Sequence, residues 1–385
     1  MRITQVSLAN WRNFKNLDVR VGQRLIVVGA NATGKSNFLD AFRFMRDIAA
    51  RDGGGLAAAV TKRGGFGKVR CLFARSNNHG ELKLGFALSD GSDQWTYTLQ
   101  LKDEGMGHHH PIVSQEVVEK NGVVLLTRPG EDDRRDPERL TQTALEQVVA
   151  NLEFRPIAEY FAGIRYTHLV PQIIRESDRV TTVADDPYGS DFIARINSSK
   201  INKATKQAWL KRIQRALQAA VPQFESIDVV QDDRGKPHLK VGYRTFRPNL
   251  DQQNERDLSD GTLRLIGLLW SLAELPSGSL LLLEEPELSL NVYVVRALPS
   301  VLAAAERGGS GSQVIYTTHS GEILCDAGIQ ADEVLVLQAG DDGTVGRLLC
   351  DTPRDVTELE LGFTIPEVIA DRMRPPMPQQ LALFD

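Results

Sequence analysis

A chain of 385 residues, 42% of them hydrophobic and 25% charged, can bury a substantial core, as two domains or as one with a large insertion. Its net charge of −5 excludes a globally basic nucleic-acid binder, so any such footprint must be local. No apolar run approaches a membrane span, the three cysteines Cys71, Cys325 and Cys350 show no metal spacing, and the start shows no signal-peptide pattern; the expectation is a cytoplasmic protein without a membrane partner.

In chain order, Ile3–Leu8, Leu17–Val21 and Leu25–Val28 read as strands. The stretch Gly29-Ala30-Asn31-Ala32-Thr33-Gly34-Lys35-Ser36 follows the third strand and precedes a helical run from Asn37 to Met45, which is the context of a phosphate-binding loop. Backbone N–H groups of such a loop and of the helix N-terminus attract a polyphosphate. Lys35 adds a full charge near the β- and γ-oxygens, and Ser36 offers a hydroxyl to Mg²⁺. Asn31, Ala32, Thr33, Gly34, Lys35, Ser36 and Asn37 are therefore the candidate contacts to ATP. Asp52–Gly67 reads as a flexible Gly-rich loop. Alternating runs at Val69–Ala74, Leu82–Leu88, Trp95–Leu101, Ile112–Val118 and Val123–Leu126 predict an antiparallel meander. The triplet His108-His109-His110 falls at a hairpin tip and reads as a solvated turn rather than a metal site. A charged loop over 129–138 leads to helix signals at Leu140–Leu152.

Phe192–Phe224 reads as helical, with Arg195, Lys200, Lys203, Lys206, Lys211, Arg212 and Arg215 and no acid, over an apolar face of Trp209, Leu210, Ile213 and Leu217. Such a 195–215 surface suits a duplex DNA backbone, an acidic partner or plain solvation. A hairpin over 226–246, turning at Asp232–Pro237, precedes Leu258-Ser259-Asp260-Gly261-Thr262, which opens an apolar helix to Leu275 with an anion-binding N-terminus. Leu280–Leu283 is an apolar strand ending in Glu284 and Glu285. Glu284 suits Mg²⁺, and Glu285 suits orienting and deprotonating an attacking water. Gln313–Thr318 is a β-branched strand ending in His319, which can reach a γ-phosphate.

These residues, in this order, resemble the ATP-binding-cassette (ABC) ATPases, in the soluble SMC/RecF/OLD-like branch. The resemblance implies an α/β fold: an ABC-type P-loop ATPase head with a central mixed sheet, an antiparallel β lobe and an inserted subdomain. It divides the chain into 1–128, 129–257, 258–374 and a tail, 375–385. Positions 37–258 lack sustained heptads, so no long coiled coil is expected. Asn10-Trp11-Arg12-Asn13-Phe14-Lys15 looks like the branch's N-F-R-x-F start, which nominates Arg12 for phosphate contact. The resemblance further implies a head-to-tail homodimer sandwiching two ATPs, with Ser259 and Gly261 contacting the nucleotide of the other copy. Departures are L-S-D-G-T for L-S-G-G-Q, Glu284 for the usual Asp, and Asn291 at the D-loop position; Gln172 is the candidate glutamine-loop residue, near the metal.

The resulting expectation is an ATPase in DNA repair or anti-phage defence acting with a separate effector, since no nuclease constellation is evident. The alternative is an ATP-gated scaffold that holds a toxin or effector without touching DNA. After Pro375-Pro376-Met377-Pro378, the peptide Gln380-Leu381-Ala382-Leu383-Phe384 resembles a sliding-clamp-binding motif.

Overall fold

Alternating apolar residues lay down the first sheet. In the computed structural model, which describes all residues except 72, 74–79, 106–109, 177–180, 182, 184–185, 199–200, 247, 306–310 and 375–385, β1 (Arg2–Trp11) pairs with β2 (Phe14–Arg20). Next come β3 (Arg24–Gly29), α1 (Lys35–Ala49), α2 (Leu56–Thr61) and α3 (Phe66–Val69). Then β4 (Leu82–Ser89), β5 (Gln94–Asp103), β6 (Pro111–Lys120) and β7 (Val123–Arg128) complete an antiparallel sheet of order β2-β1-β4-β5-β6-β7. The expected meander is there except at its first run. Residues 69–71 make only a bridge between Arg70 and Trp11, flanked by Arg12 N–H to Val69 O and Cys71 N–H to Asn10 O. His108, His109 and the clamp-like peptide lie outside the described residues.

The Gly-rich stretch 52–67 is not loose: it contains α2 and is tied to α1 by charge. Arg63, with its side chain 5% exposed, pairs with Asp40 at 2.8 Å and Asp47 at 2.9 Å, and Arg12 pairs with Asp40 at 2.7 Å. Burial pushes both carboxyls up, but Arg63 and its neighbours outweigh it and hold both below their ordinary range. Their contribution to stability is therefore full above the unfolded carboxyl value of about 4 and is lost as pH falls through the depressed folded value. Asp40→Asn should lower the urea midpoint at pH 7, and the gap from the parent should close as pH drops below about 4. A gap constant from neutral to acid pH would contradict the ion-pair account.

Between 129 and 162 the chain forms α4 (Glu131–Arg135), a 3₁₀ turn (Pro137–Thr141), further turns and α5 (Arg155–Ala162). The helix expected over 140–152 is absent because two N–H groups it would need, those of Ala144 and Leu145, donate instead to the buried Glu116 carboxylate at 2.7 and 3.2 Å. Phe161 of α5 packs edge-on against Phe86 of β4, at 5.2 Å between centroids.

β8 (Arg165–Thr167) and α6 (Pro171–Arg175) precede α7 (Phe192–Asn197), α8 (Lys203–Ala220), β9 (Phe224–Gln231), β10 (Pro237–Tyr243) and β11 (Asp251–Gln253). The continuous helix expected over 192–224 is two helices and the start of a strand; Asn202 caps α8 by accepting from Ala204 N–H at 2.8 Å. Leu210, Ile213 and Leu217 of α8 pack with Phe224, Leu239 and Val241 in a core of their own. Of the expected cations, Arg195 is engaged by Asp191 and Glu274, and Lys200 lies outside the described residues.

α9 (Asp260–Ala273), β12 (Leu280–Glu284), α10 (Val292–Ala305), β13 (Gln313–Thr318), β14 (Val334–Gly340), β15 (Gly343–Leu348), α11 (Pro353–Glu360) and α12 (Ile365–Met373) follow. The central sheet has the order β15-β14-β3-β13-β12-β8, parallel except for the β14–β15 hairpin, which makes it mixed. Strands covered on both faces read as unbroken apolar runs, which explains Leu25–Val28 and Leu280–Leu283. Leu25, Val27, Leu280 and Leu282 face the α1 core, whereas Ile26, Val28, Leu281 and Leu283 face α10 and α12. α9 packs on both this sheet and the α8 unit, with Trp270 and Trp209 edge-on at 5.5 Å. Among the described residues no helix is long and apolar enough to cross a membrane.

Candidate active site

Because β3, β13 and β12 are parallel neighbours, their C-terminal ends deliver the phosphate loop, His319 and the Glu284–Glu285 pair to one rim. The register sets Thr318 opposite Val28 and Thr317 opposite Glu284, so segments nearly 300 positions apart in sequence meet within adjacent strands.

The loop is folded tightly enough that side chains would obstruct it. Gly34 has φ +93°, and a Cβ there would sit 2.1 Å from the Asn13 amide. Ala32 takes φ +64°, the left-handed region uncommon for a residue with a Cβ. Lys35 lies across the loop, its Nζ donating to the carbonyls of Gly29 at 2.9 Å and Ala30 at 3.0 Å. Burial lowers its pKa to about 8, against the pull of Glu285, Glu284 and Glu287. Ser36 Oγ donates to Glu284 Oε1, and Tyr166 OH donates to Glu284 Oε2. Thr33 N–H closes on Ala30 O at 3.4 Å, and Asn37 Nδ2 reaches Asn13 Oδ1 at 2.9 Å.

Glu285 adopts φ +45°, with its N–H directed at Thr317 O (3.2 Å) and Thr317 Oγ1 (3.2 Å), and its Oε1 lies 2.9 Å from His319 Nε2. Burial, and then Lys35, lower the His319 pKa below its ordinary value despite Glu285, so the imidazole is neutral at pH 7 and can donate one hydrogen bond. Glu287, 8% exposed, accepts from Thr318 Oγ1 at 2.6 Å and His319 N–H at 3.1 Å; its Oε2 is buried without a partner among the described residues, and burial raises its pKa. It sets the turn that presents His319.

The segment of Ser259 and Gly261 opens α9. Ser259 is its N-cap, accepting from Thr262 N–H at 3.2 Å, and a Cβ on Gly261 would lie 2.5 Å from Ser289 O. Asp260 is held at both oxygens, by Arg175 at 2.6 Å and by Gln172 Nε2 at 3.1 Å. The structure thus turns Gln172 toward Asp260, not toward Ser36 and Glu284. The residues of that segment that meet Glu284 are Tyr166 and His168, the latter through Nδ1 and the Glu284 carbonyl at 3.3 Å. Arg12 likewise turns from the loop to the buried Asp40 and to Lys68 O (3.0 Å). Its neighbour Asn13 touches the loop instead, donating to Thr33 O at 3.0 Å and to Thr344 Oγ1 at 2.5 Å, while Thr344 itself donates to Thr33 O at 2.9 Å. Asn13 stands inside a stretch the sequence already marks and Glu287 lies just beyond the marked Glu284–Glu285 pair; Tyr166, His168 and Thr344 carry no local signal.

These residues fit a magnesium nucleotide. A Cβ has no room at Gly29 or Gly34, Lys35 has carbonyls and, among the described residues, no carboxylate within ion-pair distance, and Ser36 and Glu284 bring two oxygen donors into contact.

The family model AAA_21, described as "AAA domain, putative AbiEii toxin, Type IV TA system", matches residues 25–326. No curated protein matches the chain in sequence. Among solved structures, an SMC head bound to the C-winged helix domain of ScpA is similar at 15% identity, covering 91% of this chain and 99% of that chain with a TM-score of 0.54. An SMC head domain from Thermotoga maritima is similar at 16% identity, covering 90% and 99% with a TM-score of 0.48. The first shows the fold alone, that of an SMC head, with no long coiled coil among the described residues.

Proposed function

We propose that this chain, which belongs to the AAA_21 family of AAA domains, binds and hydrolyses ATP and couples two copies of itself through the bound nucleotide, in DNA repair or anti-phage defence beside a separate effector. The observation that carries the reading is the meeting of Lys35, Ser36, Glu284, Glu285 and His319 at the ends of three neighbouring strands. Asn31 to Asn37 hold the phosphates through backbone N–H groups, and Lys35 neutralises the β- and γ-oxygens. Ser36 and Glu284 hold Mg²⁺, which offsets phosphate charge when bound. Glu285 takes the proton of the attacking water, and the single imidazole N–H of His319, which faces Glu285 here, turns to donate to the γ-phosphate once ATP is bound. Ser259 and Gly261 of the second copy close over the nucleotide, so that ATP favours the dimer and hydrolysis releases it.

In this reading 1–128 and 258–374 form the ATPase lobes, 129–257 carry the inserted surface apart from α5 and β8, which pack into the ATPase core and its central sheet, and Gln380–Phe384 dock on a sliding clamp in the cytoplasm. Lys203, Lys206, Lys211, Arg212 and Arg215 lie on α8 with no carboxylate within ion-pair distance among the described residues, which supports a duplex DNA contact. The second reading, an ATP-gated scaffold for a protein effector, is favoured by the net charge of −5 and by the exposed apolar side chains of Val148, Val149 and Leu152.

ATP turnover with and without duplex DNA separates the two. Under the first reading DNA stimulates turnover, and replacing Lys203, Lys206 and Lys211 with Glu abolishes the stimulation and flattens the salt dependence of DNA binding by about 2 to 3 in log–log slope. Turnover indifferent to DNA at low salt overturns the first reading and favours the scaffold.

A further inference from the structure

Glu284 is the terminal residue of β12, and each of its carboxylate oxygens accepts from a different hydroxyl, Ser36 Oγ on one side and Tyr166 OH on the other. Ser36 belongs to the loop and, in the proposed function, is the hydroxyl that would hold the cation. Tyr166 belongs to β8, the edge strand next to β12, where it stands opposite Leu282. Its ring is 7% exposed and lies under the Arg43 guanidinium, 4.0 Å from the ring centroid; Arg43 is itself anchored on α1 near Asp40. Three elements therefore fix one phenol against one carboxylate oxygen.

We propose that Tyr166 is a positioning residue for the divalent cation: its hydroxyl orients the Glu284 carboxylate so that the other oxygen faces the cation beside Ser36. The inference rests on the proposed binding of Mg²⁺ by Ser36 and Glu284. A carboxylate at a strand end is free to rotate about its terminal bond, and a neutral phenol, a donor at ordinary pH, removes that freedom. Outer hydrogen-bond partners of this kind set metal affinity, and their loss typically costs 10- to 100-fold. The same segment adds a second tether, from His168 Nδ1 to the Glu284 carbonyl.

The test is Mg²⁺ titration of the binding of a fluorescent ATP analogue to the full chain, comparing the parent with Tyr166→Phe, which removes one oxygen and keeps the buried ring. The Mg²⁺ concentration for half-maximal binding should rise by about 10-fold or more, with metal-free analogue affinity and Tm unchanged. In a Glu284→Gln background, the same substitution should add no further shift. An unchanged midpoint overturns the proposal, as does an equal loss of metal-free affinity, which would mark Tyr166 as a packing residue. If the parent itself binds the analogue without regard to Mg²⁺, the cation reading of Ser36 and Glu284 fails first, and the inference falls with it.

Discussion

Replacing Glu285 with Gln is expected to slow ATP turnover by about 100- to 10,000-fold while leaving ATP binding nearly intact. That range is the usual contribution of a positioned general base, equivalent to about 3 to 5 kcal/mol of activation free energy. Glutamine has the size of the carboxylate and keeps hydrogen-bonding capacity toward His319 Nε2, now 2.9 Å from Oε1, so the turn at φ +45° has no reason to change. What is lost is the capacity to take a proton. Single-turnover hydrolysis with a parallel nucleotide-binding titration makes the comparison. A parent-like rate would remove Glu285 from the chemistry, and lost binding would show that the substitution disturbed the loop.

The second large effect is on stability and lies far from this rim. Arg128, its side chain 7% exposed, donates to Glu116 at 3.1 Å and Asp133 at 2.9 Å, and to the carbonyls of Gln142 and Arg139 at 2.9 and 2.7 Å. Glu116 is fully buried and also accepts from Tyr97 OH at 2.9 Å; burial raises its pKa even with these donors present. Removing the cation strands two buried carboxylates and frees the turn over 137–145. Arg128→Met should therefore cost about 3 to 5 kcal/mol, read as a fall in the urea midpoint. Arg135→Met is the control: its side chain is 77% exposed and its pairs with Glu131 and Asp132 are 4.0 and 3.9 Å long, so the expected loss is under about 1 kcal/mol. Equal losses in the two variants would contradict the role assigned to burial.

The parts of this protein that could be read from its sequence are those whose cause is local. Strand period, the hairpin turn at 232–237, the phosphate loop between a strand and a helix, and the acids closing an apolar strand all announce themselves within a dozen residues. The central sheet followed because Leu25–Val28 and Leu280–Leu283 are apolar without alternation, as strands covered on both faces must be. What failed depended on distant partners. Ala144 and Leu145 give their N–H groups to a carboxylate 28 and 29 positions earlier, which cancels a helix that local propensity favours. Thr344 reaches the phosphate loop across 311 positions, and Tyr166 reaches Glu284 across 118, with no mark in their own neighbourhoods. The assignments of Arg12 and Gln172 rest on analogy of position alone. In the structure nearby acids, Asp40 and Asp260, claim their side chains. A charged or amide group is held by whichever charged counterpart is near, and position along the chain does not identify it.

The proposed engine couples the site to assembly, and that coupling is open to one direct measurement. Glu285→Gln should retain ATP and accumulate the joined form, so sedimentation of that variant is the experiment. With saturating ATP and Mg²⁺ the mass should be twice the 42.6 kDa of a single chain, and it should return to 42.6 kDa without nucleotide or when Ser259 is also replaced by Arg. A variant that binds ATP yet sediments as a single chain at every nucleotide concentration would contradict the account.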